Sequence, residues 1–251
     1  MRTIFVGSCA KEPDRPEANE DAYTFSPNGQ RLAVSDGASE SYDSRVWARL
    51  LADKFATDPS FKQDWLRSAI SAYLAEHNFE SMSWSQQLAF KRGCFATLLA
   101  VEHDPVANQL ILFGIGDSVA VLFDGASIAR SWPLDEPEKF LERPTLLSTR
   151  FEHNDFTRDA EFDVRQRVNI DLLGLSDPLL LCMTDALGEW TLRMSRQQPE
   201  QVVALLMIRT EEELAQLVIA ERAAKRMRVD DSTLIILKFD AAEDGIGLPQ
   251  P

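Results

Sequence analysis

The order of the predicted elements favours an α+β fold built from antiparallel sheets. Strands come first, then two helices, many strands, two or three helices and a last strand, which differs from the βαβα alternation of parallel sheets. Asp124-Gly125 lies between two apolar runs and is a typical two-residue hairpin turn. The 251 residues, 45% of them hydrophobic, can bury a substantial core. With no internal repeat and no convincing linker, we predict one domain over 1–240 and a flexible tail over 241–251.

The first third of the chain is predicted to contain a strand, a hairpin and two helices. Residues 2–9 form the strand, a polar loop follows, and the hairpin covers 20–37. Each helix collects its large apolar side chains on one face: Val46, Trp47, Leu50, Leu51 and Phe55 in the first, and Trp65, Leu66, Ala69, Ile70, Tyr73 and Leu74 in the second. Ser60 and Gln63 are interpreted as a capping box for the second helix.

The rest of the chain is predicted to be mainly strands, with helices near its end. In order, the predicted elements are a short helix near 84–90, strands at 94–102, 109–115, 119–123 and 126–129, an edge strand at 161–168, a buried strand at 178–184, helices after Asp185, from Pro199 and from Thr210 to about Met227, and a strand at 232–239. Thr210 and Glu213 form a capping box. The polar segment 131–160 is interpreted as irregular structure or a mobile flap.

Acidic residues stand at the open end of the predicted hairpin. Glu20-Asp21 precedes its first strand and Asp36 ends its second. If Ser26 pairs with Gln30, Glu20 lies opposite Asp36. A tighter turn at Asn28-Gly29 places Asp21 opposite Asp36 instead, and the preceding proline makes that register the less favoured one. In both registers carboxylates meet, and they repel each other unless a cation or a proton lies between them.

Acidic residues also stand at the ends of two later strands. Asp185 follows the apolar run that ends at Met183, and Asp230-Asp231 precedes the final strand. Taken singly, each aspartate is also explained as a helix cap or a turn residue. Because all of them adjoin buried strands, we expect them to converge. Oxygen ligands of this kind suit magnesium or manganese rather than zinc or copper.

Composition excludes several other classes of function. A formal net charge of −14 argues against nucleic-acid binding and against anionic membranes. Cys9, Cys94 and Cys182 lie far apart and are interpreted as reduced, buried thiols. The apolar run at the N-terminus is too short for a signal peptide, and no run is long enough to span a bilayer. We therefore expect a cytoplasmic protein.

Nucleophilic and zinc chemistry have no motif in this chain. There is no phosphate-binding GxxxxGK[ST] loop and no HExxH, and His77, His103 and His153 lie outside the acidic motifs. We interpret the three histidines as structural or surface residues.

Six short motifs follow one another along residues 5–239. They are Asn19–Ala22, Ala33–Gly37, Gly93–Leu99, Gly114–Ser118, Leu181–Gly188 and Asp230–Ile236. In this order they resemble the motifs of the type-2C family of metal-dependent serine/threonine protein phosphatases. Each motif is weak alone, whereas six in sequence form a specific signal. The resemblance implies a four-layer αββα sandwich, in which two antiparallel sheets are flanked by helix pairs, with 1–240 as the catalytic domain.

The resemblance also implies a role for each acidic residue. Two Mn²⁺ or Mg²⁺ ions would be held by Glu20, Asp36, Asp185, Asp230 and the carbonyl of Gly37. Asp36 would bridge the ions and Asp21 would orient water as a second catalytic residue. Asp117 would bind a third ion, with a plain hairpin turn as the alternative. The implied reaction is hydrolysis of phosphoserine or phosphothreonine in a protein substrate by water that the two metals activate.

Four positions depart from the family pattern, and one of them is Ala186, which stands where the family has a glycine. Ala38 stands where many members carry a histidine that protonates the leaving group. Pro16 stands where an arginine often binds phosphate, so Arg15 or Lys11 is the substitute, unless both are merely solvated loop charges. Asp231 stands where asparagine is common, so Asp230 and Asp231 can exchange roles.

Two alternative functions stay open, and Ala38 and the missing arginine motivate the first of them. One is a catalytically weak, phosphatase-like regulatory module that binds a phosphoprotein. The other is a phosphatase acting on a small phosphorylated metabolite.

Overall fold

The computed structural model describes residues 1–39 and 41–239. Its strands are β1 (Arg2–Cys9), β2 (Asp21–Phe25), β3 (Arg31–Asp36), β4 (Phe95–Ala96), β5 (Leu98–Asp104), β6 (Gln109–Ile115), β7 (Val119–Asp124), β8 (Ser127–Trp132), β9 (Leu147–Ser148), β10 (Arg167–Asp171), β11 (Pro178–Met183) and β12 (Ser232–Lys238). Its α-helices are α1 (Ser44–Thr57), α2 (Gln63–Ala75), α3 (Trp84–Arg92), α4 (Phe162–Gln166), α5 (Asp185–Gln197), α6 (Pro199–Leu206) and α7 (Glu211–Ala223). The predicted tail, 241–251, lies outside the described residues.

Two five-stranded antiparallel sheets form the centre of the fold. The first has the strand order β1-β12-β11-β7-β8, and the second has the order β10-β6-β5-β3-β2. All neighbouring strands in both sheets run antiparallel. The prediction of an α+β fold with antiparallel sheets is therefore confirmed.

Three apolar clusters divide the molecule into four layers. One cluster lies between the two sheets and includes Val34, Leu99, Leu180 and Ile235. A second packs α1 and α2 against the outer face of the β3-containing sheet, and a third packs α5, α6 and α7 against the outer face of the other sheet. Strands in the middle layers are apolar on both faces, which explains their uninterrupted hydrophobic runs. The αββα sandwich is confirmed.

The register of the β2–β3 hairpin differs from the favoured prediction. Asp21 lies opposite Asp36, so the register that paired Glu20 with Asp36 is wrong and the alternative register is right. The backbone N–H of Ser26 donates to Arg31 rather than pairing with Gln30, at 2.9 Å. A side-chain hydrogen bond explains this register. The backbone N–H of Arg31 donates to Ser26 Oγ at 2.9 Å, which closes a loop of four residues between Ser26 and Arg31.

The predicted edge strand at 161–168 is also wrong. The chain forms the short helix α4 there, and the strand β10 begins only at Arg167. Phe162 is buried against Phe61 and Phe113, whereas Val164 is exposed. The alternation of apolar and polar residues suggested a strand, but tertiary packing buries only one of the apolar pair.

Local signals give mixed results elsewhere. The capping box of Thr210 and Glu213 is confirmed at the start of α7. The box predicted for Ser60 and Gln63 is wrong, because α2 begins after Lys62 without a side-chain cap. The segment 131–160 contains two 3₁₀ helices and β9, connected by irregular chain. None of the helices in the described part of the chain has the length and hydropathy that a bilayer span requires.

Candidate functional site

Four aspartates from different parts of the chain line one cavity of about 240 Å³. Asp36 ends β3, Asp117 lies in the connection between β6 and β7, Asp185 begins α5, and Asp230 precedes β12. Because β3 and β7 belong to different sheets, the cavity lies at the ends of both sheets. The carboxylates that were predicted to converge from strand ends, those of Asp36, Asp185 and Asp230, lie together in this cavity. We call this cavity, lined by these four aspartates, the acidic cavity.

The backbone at Asp36 is fixed by Thr97. The N–H of Asp36 donates to Thr97 Oγ1, and the N–H of Thr97 donates to the carbonyl of Asp36, both at 2.9 Å. Thr97 Oγ1 also lies 2.7 Å from the hydroxyl of Ser118. This pattern holds the end of β3 in place while the Asp36 side chain lines the cavity.

Gly37 allows the start of α1 to approach this strand end. A Cβ atom at Gly37 would lie 2.8 Å from the backbone of Ser44, so any larger residue would push α1 away. The closeness matters because the Ser44 hydroxyl donates to the carboxylate of Glu20.

Glu20 does not line the acidic cavity, but its carboxylate accepts a hydrogen bond from Ser39, which does. Its carboxylate accepts hydrogen bonds from Lys11 Nζ at 2.5 Å and from Ser39 Oγ at 2.6 Å, besides the one from Ser44. The carboxylate is therefore already neutralised by an ammonium group of the same chain.

Asp21 lies opposite Asp36 in the β2–β3 hairpin, and only one of its two carboxylate oxygens accepts hydrogen bonds from the described residues. Its Oδ2 accepts from the hydroxyls of Thr184 at 3.0 Å and Thr233 at 2.6 Å, whereas its buried Oδ1 has no hydrogen-bond partner among the described residues. Burial, and secondly the negative charges of Asp231 and Asp230, raise the pKa of Asp21 to about 7.

Burial and neighbouring negative charges also raise the pKa values of Asp36 and Asp117. Burial is the main cause that raises the pKa of Asp36 well above its usual range, followed by the charges of Asp21, Asp117 and Asp230. Burial likewise raises the pKa of Asp117, although the positive charge of Arg228 partly offsets that rise. The cavity thus concentrates carboxyl groups whose ionisation is disfavoured unless a cation offsets their charge.

Arg228 is a site residue that the sequence analysis missed. Its guanidinium forms an ion pair with Asp185, and it is the basic side chain that lines the acidic cavity in the described part of the chain. The second oxygen of Asp185, Oδ1, is buried and has no hydrogen-bond partner within residues 1–39 and 41–239. A signal existed in the sequence, because Arg228 stands two residues before Asp230.

Asp230 and Asp231 occupy different environments. Asp231 accepts hydrogen bonds from the backbone N–H groups of Lys11 at 2.8 Å and Glu20 at 3.0 Å, and its side chain is 4% exposed. It therefore ties the loop before β2 to the last strand. Asp230 lines the acidic cavity and is the one of the pair available to a ligand.

Arg15, the predicted phosphate-binding residue, lies outside this arrangement. Its side chain is 65% exposed and pairs with Glu12 at 3.3 Å. The acidic cavity thus brings together five of the predicted residues, Asp36, Gly37, Asp117, Asp185 and Asp230, with Asp21 and Glu20 behind them. It does not include Arg15.

No thiol or imidazole lines the acidic cavity within the described residues. The three cysteines are buried and free, as predicted, and burial raises the pKa of Cys94 to about 12. His77 bridges the carbonyl of Tyr73 and the carboxylate of Asp43. A thiolate or histidine nucleophile therefore has no support in this cavity.

The donor atoms of the acidic cavity fit a hard divalent cation. Among the described residues, no three His, Cys, Asp or Glu side chains are already arranged as a coordination sphere. Lys11 pairs with Glu20, and Arg228 pairs with Asp185. The available donors are nevertheless all oxygens, and one buried oxygen each of Asp21 and Asp185 has no hydrogen-bond partner in the part of the chain that the structure describes. This chemistry suits Mg²⁺ or Mn²⁺.

Comparison with known proteins identifies similar folds. No family model matches the chain, and no curated protein matches its sequence. Among solved structures, the serine/threonine phosphatase PstP/Ppp of Mycobacterium tuberculosis has a TM-score of 0.57 at 17% identity, covering 95% of this chain and 100% of that one. The serine/threonine phosphatase Stp1 of Staphylococcus aureus has a TM-score of 0.56 at 18% identity, covering 96% of each chain.

Two further structures agree with these. The photosystem II phosphatase PBCP has a TM-score of 0.56 at 14% identity, covering 94% of this chain and 99% of that one. The catalytic domain of PstP in complex with two manganese ions has a TM-score of 0.51 at 17% identity, covering 95% of this chain and 96% of that one. At these identities the similarity concerns the fold. The chain therefore has the fold of the type-2C serine/threonine phosphatases.

Proposed function

We propose that this chain is a metal-dependent phosphatase that hydrolyses phosphoserine and phosphothreonine in proteins. The observation that carries the proposal is the convergence of Asp36, Asp117, Asp185 and Asp230 on one cavity. The shared fold with solved serine/threonine phosphatases supports it. An open cavity with several carboxylates suits a reaction in which bound cations balance phosphoryl charge.

The proposed cofactors are two Mn²⁺ or Mg²⁺ ions. Glu20, Asp36, the carbonyl of Gly37, Asp185 and Asp230 would hold them, and Asp117 would hold a third. The PstP structure with two manganese ions supports the choice of metal. When bound, such ions lower the pKa of water and offset negative charge on the phosphoryl group.

Asp21 is proposed to hold a proton during the reaction. In the metal-free protein its carboxyl group has a pKa of about 7, so it can hold a proton near neutral pH, and bound cations would lower that pKa and favour the carboxylate. The hydroxyls of Thr184 and Thr233 fix one oxygen, so the unsatisfied Oδ1 is the atom that would carry the proton. This assignment gives Asp21 a role in orienting and deprotonating water.

Arg228 is proposed to bind the phosphoryl oxygens in place of Arg15. It lines the acidic cavity, and a guanidinium donates two parallel hydrogen bonds to a phosphate. Ala38 also lines the cavity and carries no proton donor, so solvent is proposed to protonate the leaving serine or threonine oxygen.

The test is hydrolysis of p-nitrophenyl phosphate and of a phosphothreonine peptide with Mn²⁺. Activity is expected to disappear with a chelator and to fall by about a hundredfold or more in Asp36→Asn. Asp64→Asn, an exposed aspartate on α2, is the matched control and should keep its activity. Turnover that survives both chelation and Asp36→Asn would refute the mechanism.

A phosphoprotein-binding module with little catalysis is the second candidate. The observation in its favour is that Lys11 and Arg228 already pair with Glu20 and Asp185. Such pairs compete with metal binding. Phosphopeptide binding without turnover at saturating Mn²⁺ would favour this candidate over the enzyme.

A further inference from the structure

A larger cavity, of about 740 Å³, lies beside the acidic cavity. The two share the lining residues Ala38, Ser39, Pro144 and Leu146, so they form one continuous depression. A volume of this size accommodates several side chains of a peptide. We call it the flanking cavity, because a substrate whose phosphate enters the acidic cavity would place its neighbouring residues there.

Two arginines, Arg92 and Arg143, line the flanking cavity. Arg92 ends α3 and Arg143 precedes β9, and both side chains are exposed. Neither side chain forms an ion pair or hydrogen bond with another residue in the described ranges 1–39 and 41–239. By contrast, the nearby Arg150 pairs with Glu152 at 2.5 Å. In a chain with a net charge of −14, two arginine side chains that lack a partner among the described residues and line one cavity favour the binding of an anion there.

The remaining lining gives this cavity an apolar wall. Phe95 stacks on His153 with ring centroids 5.6 Å apart, and Phe156 also contributes to the lining. Aromatic surfaces accept the aliphatic part of a peptide, whereas guanidinium groups bind carboxylates or phosphates at its end. The combination suits an acidic or phosphorylated peptide side chain better than a basic one.

We propose that the flanking cavity selects phosphoprotein substrates by an acidic residue next to the phosphorylated one. Arg92 and Arg143 would contact its oxyanion, which is either a carboxylate or a second phosphate. The inference rests on the proposed phosphatase function and names the substrate class of the same site. It makes Arg92 and Arg143 residues that determine specificity.

The test compares four phosphothreonine peptides that differ only in the flanking residues, which are glutamate, phosphoserine, alanine or lysine. The wild-type protein should prefer the glutamate or phosphoserine peptide to the alanine peptide by about threefold to tenfold in kcat/KM, mainly through KM. Arg92→Ala and Arg143→Ala should each reduce that ratio. Arg143→Glu should shift the preference toward the lysine peptide. Arg130→Ala, an exposed arginine on β8 outside both cavities, should leave the ratio unchanged.

The same peptides are also titrated by fluorescence anisotropy, which separates this inference from the proposed function. Tighter binding of the acidic peptides that depends on Arg92 and Arg143 supports the inference even if no peptide is hydrolysed. If p-nitrophenyl phosphate is hydrolysed but all four peptides are hydrolysed at equal rates and bound with equal affinities, the inference is overturned and the phosphatase proposal stands. A wild-type preference for acidic peptides that persists in both alanine variants and in Arg143→Glu also overturns it.

Discussion

The unsatisfied carboxylate of Asp21 predicts that the metal-free protein loses stability as the pH rises. A carboxyl group whose pKa is higher in the folded state binds its proton more tightly there. The folded state therefore loses stability between the pKa of the unfolded chain, 3.8, and that of the folded chain, about 7. At about 1.4 kcal/mol per pH unit, the loss amounts to at most about 4 kcal/mol in the free energy of unfolding.

Asp21→Asn removes this titration and is the perturbation to make. Asparagine keeps an oxygen for the hydroxyls of Thr184 and Thr233 but places an amide NH₂ group at the buried Oδ1 position, which has no partner among the described residues. That amide imposes a cost that does not depend on pH, so it cancels when two pH values are compared. The free energy of unfolding of the variant, relative to that of the wild-type protein, should therefore be about 2 to 4 kcal/mol higher at about pH 8 than at about pH 4.5.

The assay is urea unfolding with a chelator at both pH values, with Asp64→Asn as the exposed control. The reasoning would be refuted if the difference in unfolding free energy between Asp21→Asn and the wild-type protein stayed constant with pH. It would also be refuted if the variant became less stable relative to the wild-type protein at the higher pH. Adding Mn²⁺ at about a hundred times its dissociation constant should restore about 2.7 kcal/mol to the wild-type protein. The gain should be smaller in the variant, because less repulsion remains to be relieved.

Two further substitutions test other contacts of the site. Arg228→Ala should raise KM for p-nitrophenyl phosphate by about tenfold while tightening Mn²⁺ binding by up to about fivefold, because the variant loses a phosphate ligand and Asp185 loses a competing cation. Kinetics and titration calorimetry measure the two effects, and weaker Mn²⁺ binding would contradict the competition. Gly37→Ala should cost about 1–3 kcal/mol of unfolding free energy, since its Cβ would lie 2.8 Å from the backbone of Ser44. An unchanged melting temperature would show that α1 moves aside without cost.

Signals within a few residues of each other determined much of the fold. Apolar runs predicted the central strands, the Asp124-Gly125 turn predicted the β7–β8 hairpin, and the Thr210 capping box predicted the start of α7. These signals succeed because turn geometry and helix caps depend on neighbouring residues. The edge strand predicted at 161–168 failed because the burial of Phe162 against Phe61 involves a distant segment.

The sequence by itself also placed Asp36, Asp185 and the Asp230-Asp231 pair at strand ends, and the family resemblance added Asp117. It also predicted Glu20, which does not line the acidic cavity. Only the tertiary structure decided that Asp230 rather than Asp231 lines it, and that Arg228 rather than Arg15 is its basic residue. It alone brought Arg92 and Arg143 to one cavity. The physical reason is that these contacts depend on the order of strands in the sheets and on long side chains reaching between segments, which residue spacing along the chain does not encode.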